Sequence, residues 1–136
     1  MTTLYIDTNV FINIINDEVS VHSNKSMAEP ASKLFFEALS CKYTLLISTW
    51  TVQELLKKLN AEKIKSSFEL LKKKIVICKY SIDEEILARK RSQTNFPDAL
   101  HIVIAEKSKA DYIITRNVDD FLKIGTKIPI KKPELL

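Results

Sequence analysis

The sequence predicts a single α/β domain built around a central, mostly parallel sheet of four or five strands. Three observations predict it: short apolar runs alternate with segments of helical spacing, 136 residues fit one domain, and 46% of them are hydrophobic. Because crossovers between parallel strands are right-handed, we expect helices on both faces of the sheet, which makes three layers. No internal repeat or second domain is evident.

The first third of the chain predicts one strand and two helices. Residues 4–6 form a buried apolar run that ends at Asp7, and residues 8–16 have the pattern of a short helix. Residues 16–30 are polar and irregular, which is typical of a loop or a helical turn. Residues 31–39 then repeat apolar side chains at helical spacing.

The remaining elements alternate in the same way. We expect strands at residues 43–48, 75–78 and 112–114, and a short final strand at residues 127–130. Apolar side chains at helical spacing predict helices over residues 52–59 and 64–71. Ser81 with Glu84 three residues later is a capping-box pattern, and residues 98–108 are apolar on most sides, which predicts a well-buried helix.

Composition narrows the function classes. The chain has 21 Lys and Arg against 17 Asp and Glu, a net charge of +4, which favours a polyanionic partner. No apolar run approaches the roughly 20 residues that cross a bilayer, and Asp7 interrupts the apolar start of the chain, which argues against a signal peptide. We expect Cys41 and Cys78 to be free thiols of a cytoplasmic protein, with Cys78 buried.

Acidic and polar residues fall where the chain reaches the carboxyl edge of the predicted sheet, the edge at which open parallel sheets bind ligands. Asp7 follows the first strand, Glu54 lies in the first turns of the helix after the second strand, and Asp98 opens the buried helix. The residues that follow the fourth strand are Thr115, Asn117, Asp119 and Asp120.

Neighbouring carboxylates repel one another, and a divalent cation would neutralise them. Hard oxygen ligands without His or Cys suit Mg²⁺ or Mn²⁺, which activate water for attack on a phosphodiester. Each acid also has a purely structural interpretation. Asp7 could cap the helix that starts at Thr8, Glu54 could complete a capping box with Thr51 or pair with Lys58, and Asp98 could favour a helix start.

The combination resembles the PIN domain, in particular the toxin ribonucleases of VapBC-type toxin–antitoxin pairs. Residues 4–11, LYIDTNVF, resemble the opening motif of the family, and residues 52–55, VQEL, resemble the segment around its central glutamate. Residues 97–100, PDAL, match the segment of its third acid, and residues 115–121, TRNVDDF, resemble its closing motif. The four motifs occur in the family's order and span nearly the whole chain.

The resemblance implies a PIN-like α/β/α sandwich and a metal-dependent endoribonuclease. It implies that Asp7, Glu54 and Asp98 bind Mg²⁺ or Mn²⁺, and that Asn9 and Thr115 support them. Where the family often has a fourth acid this chain has Asn117, and we expect three acids plus Asn117, with Asp120 in support. The resemblance further implies a homodimer, an RNA substrate and a small inhibitory antitoxin.

Two other functions fit the sequence less well. Asn117 keeps open a catalytically degenerate PIN-like module that binds RNA or protein without cleaving. An aspartyl-nucleophile phosphatase would place a second acid where Asn9 stands. Among further residues, His101 lies one turn after Asp98 and faces the pocket, the core or solvent. Trp50 and Phe96 are candidates for base stacking or core packing, and residues 89–91 form a basic patch that could contact RNA.

Overall fold

A parallel sheet of five strands forms the centre of the molecule. The computed structural model describes residues 2–13, 42–71 and 74–135. In the described part of the chain the strands run in the order β3-β2-β1-β4-β5, and all four neighbouring pairs are parallel. The strands are β1 Thr2–Ile6, β2 Tyr43–Ser48, β3 Ile75–Cys78, β4 Tyr112–Ile114 and β5 Ile130–Lys131. β1 is central, so its carboxyl end lies between those of β2 and β4.

Helices connect the strands and cover the sheet. Residues 8–13 form a helical segment directly after β1. The further helices are α1 Thr49–Lys58, α2 Ala61–Leu71, α3 Ile82–Arg91, α4 Phe96–Lys107 and α5 Val118–Ile124, followed by a 3₁₀ turn at Pro133–Leu135. None of the described helices is long and apolar enough to cross a membrane.

The core has two halves, one on each face of the sheet. Alternate side chains of β1 point to opposite faces, so Leu4 and Ile6 pack with Phe11 on one side, while Tyr5 packs with α4 on the other. All three β1 side chains are fully buried. This arrangement confirms the predicted three-layer α/β/α sandwich with a parallel sheet.

The predicted strands are confirmed, but β1 starts at Thr2 rather than at residue 4, and the last strand has other bounds. We expected residues 127–130, but β5 is Ile130–Lys131. The amide of Ile128 donates to the Thr126 hydroxyl at 3.2 Å, which turns the chain, and pairing with β4 begins only at the carbonyl of Pro129, which accepts from Ile113. An apolar run therefore placed the strand too early.

The predicted helices agree with the structure to within three residues at each start, whereas α5 was not predicted. α4 begins at Phe96 rather than at Asp98, because Asn95 is its N-cap and Pro97 fits the first turn. The expectation that this helix is buried is confirmed, since every residue from 99 to 105 is buried. The predictions for residues 14–16, 16–30 and 31–39, and for Cys41, lie outside the described residues.

Cys78 is only partly buried, so the prediction of a fully buried thiol was wrong. It lies on β3, the outermost strand of the described sheet on that side, whose outer residues Val76 and Ile77 are exposed. The thiol is free and accepts a hydrogen bond from the Ser108 hydroxyl at 3.2 Å.

Candidate active site

Asp7 stands at the centre of the carboxyl edge of the sheet. Its amide donates to the carbonyl of Ile114 at 2.9 Å, which holds the ends of β1 and β4 side by side. Its carboxylate is 5% exposed and accepts two hydrogen bonds, from the Thr8 amide and from the Thr115 hydroxyl, each at 2.8 Å. A carboxylate offers about four acceptor positions, so Asp7 retains capacity for a cation. The Phe11 amide donates to the carbonyl of Asp7 at 3.0 Å, so Asp7 also begins the helical segment 8–13.

Glu54 reaches the same edge from α1. Its Oε1 accepts from the Thr8 hydroxyl at 2.6 Å and from Nε2 of His101 at 2.7 Å. Burial raises the pKa of Glu54, but the hydrogen bond and charge of His101, the Thr8 hydroxyl and the charge of Lys58 outweigh it, and the net pKa is lowered. Glu54 is thus ionised at neutral pH.

The capping-box interpretation of Glu54 was wrong. The N-cap of α1 is Ser48, whose hydroxyl accepts from the Thr51 amide at 3.1 Å, and the Thr51 hydroxyl accepts from the Ser48 amide at 3.3 Å. Ser48 and Thr51 therefore close the helix end between themselves. The side chain of Glu54 remains available to the site.

His101 lies beneath the acids and is 1% exposed. Its Nδ1 is 2.6 Å from the Tyr5 hydroxyl, and its Nε2 is 3.2 Å from the Thr8 hydroxyl and 3.7 Å from Oδ1 of Asp7, in addition to its bond with Glu54. Burial lowers the pKa of His101, yet the Tyr5 hydroxyl and the carboxylates of Glu54 and Asp7 raise it overall, well above its ordinary value. Both ring nitrogens of His101 thus have hydrogen-bond partners beneath the acidic edge.

Sequence reasoning undervalued His101, although two signals were present. It lies three residues after Asp98, which places both side chains on one side of α4. It is also a polar residue inside an otherwise apolar helix, and a buried polar side chain needs partners. The identity of those partners depends on Tyr5 and Glu54, which are distant in sequence.

Asp98 lies in the first turn of α4 and is half-buried. Its Oδ2 accepts from the Asn95 side-chain amide at 2.9 Å. Burial raises the pKa of Asp98, and the negative charges of Asp7 and Asp120 raise it further, against the opposing effects of Asn95 and His101. Asp98 therefore lies within electrostatic range of both Asp7 and Asp120.

The amides lie further out than expected. Asn9 is exposed, and its Oδ1 accepts from Lys58 at 3.1 Å. Asn117 is the exposed N-cap of α5, and its backbone amide donates to the Thr115 hydroxyl at 3.0 Å. It lines a shallow polar cavity of about 250 Å³ with Asp119, Asp120 and Lys132. Its contact with Asp7 is therefore indirect, through Thr115.

The aromatic and basic candidates lie in packed surroundings. The rings of Trp50 and Phe96 meet edge to face with centroids 6.1 Å apart, and the Arg89 guanidinium lies over Phe96 at 4.3 Å. Arg91 instead pairs with Glu106 and donates to the carbonyl of Gly125, so it joins α3 to α4. The basic patch of residues 89–91 is thus partly committed to internal contacts.

The donors fit a magnesium-type ion held by few protein ligands. Within residues 2–13, 42–71 and 74–135, no three His, Cys, Asp or Glu side chains converge into a metal-holding group. Mg²⁺ commonly keeps several waters and takes only one or two carboxylates. Asp7 and Asp98 supply such a pair, and their mutual repulsion is what a cation would relieve.

The chain forms a parallel α/β/α sandwich with acidic side chains at the carboxyl edge of its sheet. The comparison with known families identifies the class of protein to which this arrangement belongs. Residues 3–119 match the PIN domain family. The chain therefore belongs to the PIN domain family. No curated protein matches it in sequence.

Solved structures share the fold at low sequence identity. The chain is similar to VapBC2 from Rickettsia felis bound to a promoter DNA fragment, with a TM-score of 0.65 and 17% identity over 96% of this chain and 98% of the other. A toxin–antitoxin complex from Klebsiella pneumoniae gives 0.61 and 21% over 96% and 97%. VapC20 from Mycobacterium tuberculosis, a toxin that cleaves the sarcin–ricin loop, gives 0.57 and 13% over 81% and 86%.

Proposed function

We propose that this chain is a metal-dependent endoribonuclease that hydrolyses RNA phosphodiester bonds. One observation carries the proposal: Asp7, Glu54 and Asp98 come from three separate stretches of the chain and reach one sheet edge, where Asp7 raises the pKa of Asp98 and shares His101 with Glu54. Membership of the PIN family supports the same chemistry.

The chain's own residues would divide the work. Asp7 and Asp98 would hold the cation directly, and Glu54 would act next to it, on a bound water or on the ion. Thr115 orients Asp7 through its hydroxyl, and Asn95 orients Asp98 through its amide. Asn117 and Asp120 lie at the rim, where they would contact water or substrate rather than the ion.

Mg²⁺ or Mn²⁺ would supply an activated water and stabilise charge on the phosphoryl group during in-line displacement. The protein would contribute a buried and pre-oriented acceptor set, since both oxygens of Asp7 and one oxygen of Glu54 are already fixed by hydrogen bonds. Such fixed donors and acceptors need little rearrangement when the ion and substrate bind.

We further propose that the chain is the toxin of a toxin–antitoxin pair. The support is the similarity in fold to VapBC2 and to the Klebsiella structure, the second of which is described as a toxin–antitoxin complex. A small antitoxin with a basic side chain, Arg above all, would neutralise the acidic edge and block it. A homodimer, and a cytoplasmic site of action on RNA, belong to the same proposal.

A degenerate module that binds RNA or protein without cleaving is the second candidate. Asn117 favours it, because it replaces a charged side chain with a neutral amide beside Thr115. The two candidates differ in one observable. Both would bind a partner, but only the first would cleave RNA, and that cleavage would depend on Asp7 and Asp98.

The test is cleavage of a structured RNA by the purified wild type with millimolar Mg²⁺ or Mn²⁺, compared with Asp7→Asn and Asp98→Asn. We expect each variant to lose at least about a hundredfold in rate, since each removes a charge that holds the ion. Asp83→Asn, an exposed acid on α3, is the matched control and should cleave like the wild type. Equal cleavage by wild type and both site variants would refute the catalytic assignment.

A further inference from the structure

A chain of buried hydrogen bonds runs from β2 to Glu54 through His101. The Ser48 hydroxyl lies 2.9 Å from the Tyr5 hydroxyl, which lies 2.6 Å from Nδ1 of His101, whose Nε2 lies 2.7 Å from Oε1 of Glu54. Ser48, Tyr5 and His101 are each 1% exposed or less. These hydrogen bonds connect β2, β1 and α4 to a single carboxylate oxygen of Glu54.

Protons can be assigned along this chain without reference to pH. Ionised Glu54 only accepts, so Nε2 of His101 must carry a hydrogen, in the neutral tautomer as in the cation. The Thr8 hydroxyl donates to the same Oε1. Two donors therefore fix one oxygen of Glu54, and through it the rotamer of the side chain.

A histidine buried at this position destabilises the core unless its ring nitrogens have hydrogen-bond partners. The run of buried residues from 99 to 105 in α4 contains six apolar side chains, and His101 is the exception. Burying an imidazole without hydrogen-bond partners destabilises a fold, and an aliphatic residue would fill the same space in the core. Here both ring nitrogens are satisfied, and one of them by a residue of the proposed site.

We propose that His101 is a positioning residue: held by Tyr5 from behind, it sets the rotamer of Glu54 and so the geometry in which the acidic edge receives a divalent cation. The inference rests on the proposed function and deepens it. His101 itself does not touch substrate, because it is buried below the acids. Groups that orient a metal's ligands from behind typically change metal affinity or activity by about 10- to 100-fold when they are replaced.

Three variants test the proposal by Mn²⁺ affinity, measured by electron paramagnetic resonance of free Mn²⁺ without RNA. His101→Leu removes both bonds, His101→Gln retains a side-chain N–H that can donate to Glu54, and Tyr5→Phe removes the support behind the ring. We expect His101→Leu to weaken Mn²⁺ binding by about tenfold or more, His101→Gln to restore most of it, and Tyr5→Phe to fall between them.

Control variants separate positioning from loss of stability. Val103→Ala creates a small cavity in the same helix and should lower the unfolding midpoint without changing Mn²⁺ affinity. Tyr112→Phe removes a tyrosine hydroxyl from β4, outside the hydrogen-bond chain described here, and should leave Mn²⁺ affinity unchanged. In cleavage assays the His101 variants should lose kcat while KM for RNA changes little, because the substrate surface is intact.

The outcomes distinguish this inference from the proposed function. If the wild type binds Mn²⁺ and Asp7→Asn does not, but His101→Leu binds as tightly as wild type, the positioning role is refuted and the metal site stands. If His101→Leu weakens binding only as much as Val103→Ala does, the role of His101 is structural and the inference is again wrong. If the wild type neither binds Mn²⁺ nor cleaves RNA, the proposed function fails and the inference fails with it.

Discussion

Replacing Asp98 with Asn should raise the stability of the metal-free protein while it abolishes cleavage. The pKa of Asp98 is raised by burial and by the negative charges of Asp7 and Asp120, so its ionised form is disfavoured in the folded state. The amide of Asn would keep an oxygen that accepts from Asn95. The substitution therefore removes the repulsion and retains the local hydrogen bond.

The size of the effect follows from the surroundings of Asp98. Two like charges 4 Å apart cost about 1 kcal/mol in water and about 4 kcal/mol at the effective dielectric constant of a protein surface. Asp98 is half-buried and partly compensated by Asn95 and His101, which favours the lower limit. We expect Asp98→Asn to raise the free energy of unfolding by about 1 kcal/mol at pH 7.

The pH dependence has a definite sign. A carboxyl whose folded pKa lies above its unfolded value destabilises the fold only when it is ionised, so the cost is absent below the unfolded pKa near 3.8. The advantage of Asp98→Asn should therefore shrink as pH falls from 7 towards 4. Urea denaturation in EDTA at several pH values measures it, with Asp83→Asn as the control. An Asp98→Asn variant that is less stable than wild type at pH 7 would refute the reasoning.

Two further predictions concern stability. Millimolar Mn²⁺ should raise the unfolding midpoint of the wild type by about 5–10 °C, since ion binding at 100 times Kd adds about 2.7 kcal/mol, and it should not do so for Asp7→Asn; an equal shift in both would place the ion elsewhere. Glu84, whose side chain is 4% exposed, pairs with Lys107, and this pair and the Ser81 hydroxyl lower its pKa to about 2. Glu84→Gln should therefore cost about 1 kcal/mol at neutral pH, as measured by urea unfolding, and the difference should disappear as pH falls from about 4.5 to 2; a constant difference across this range would contradict the ion pair.

Much of the fold could be predicted because its signals are local. Strands β2, β3 and β4 follow directly from apolar runs, and Ser81 with Glu84 marks the start of α3, where the Ser81 amide donates to Glu84 at 3.3 Å. The short strand β5 was misplaced because two residues of pairing leave almost no periodicity. Its position depends on the turn at Thr126 and on the partner strand β4, neither of which a local pattern contains.

The position of the candidate site could be predicted from the sequence, but the hydrogen bonds among its residues could not. The carboxyl-edge rule places Asp7 after β1 and Asp98 at the start of the buried helix, and in the structure Asp7 directly follows β1 while Asp98 lies in the first turn of α4. The bond of Glu54 to His101 could not be predicted, because the residues are 47 positions apart and meet only when α1 and α4 pack around β1. Hydrogen-bond partners of this kind are set by three-dimensional packing, whereas sequence spacing reports only the face of each element.

The outward positions of Asn9 and Asn117 have the same explanation. Both lie three residues after the end of a strand, where sequence reasoning places side chains at the site. Lys58 of α1 instead donates to Asn9 at 3.1 Å, and Asn117 is the N-cap of α5, where its backbone amide donates to Thr115. Sequence spacing from a strand end therefore does not decide whether a polar side chain joins the acids.

We propose that Asp7 and Asp98 jointly hold a divalent cation. Crystals grown with Mn²⁺ test it directly through anomalous diffraction at the manganese absorption edge. We expect one strong anomalous peak in contact with oxygens of both carboxylates. The same peak should be lost in Asp98→Asn. A wild-type map without a peak at these residues, under conditions in which the protein cleaves RNA, would contradict it.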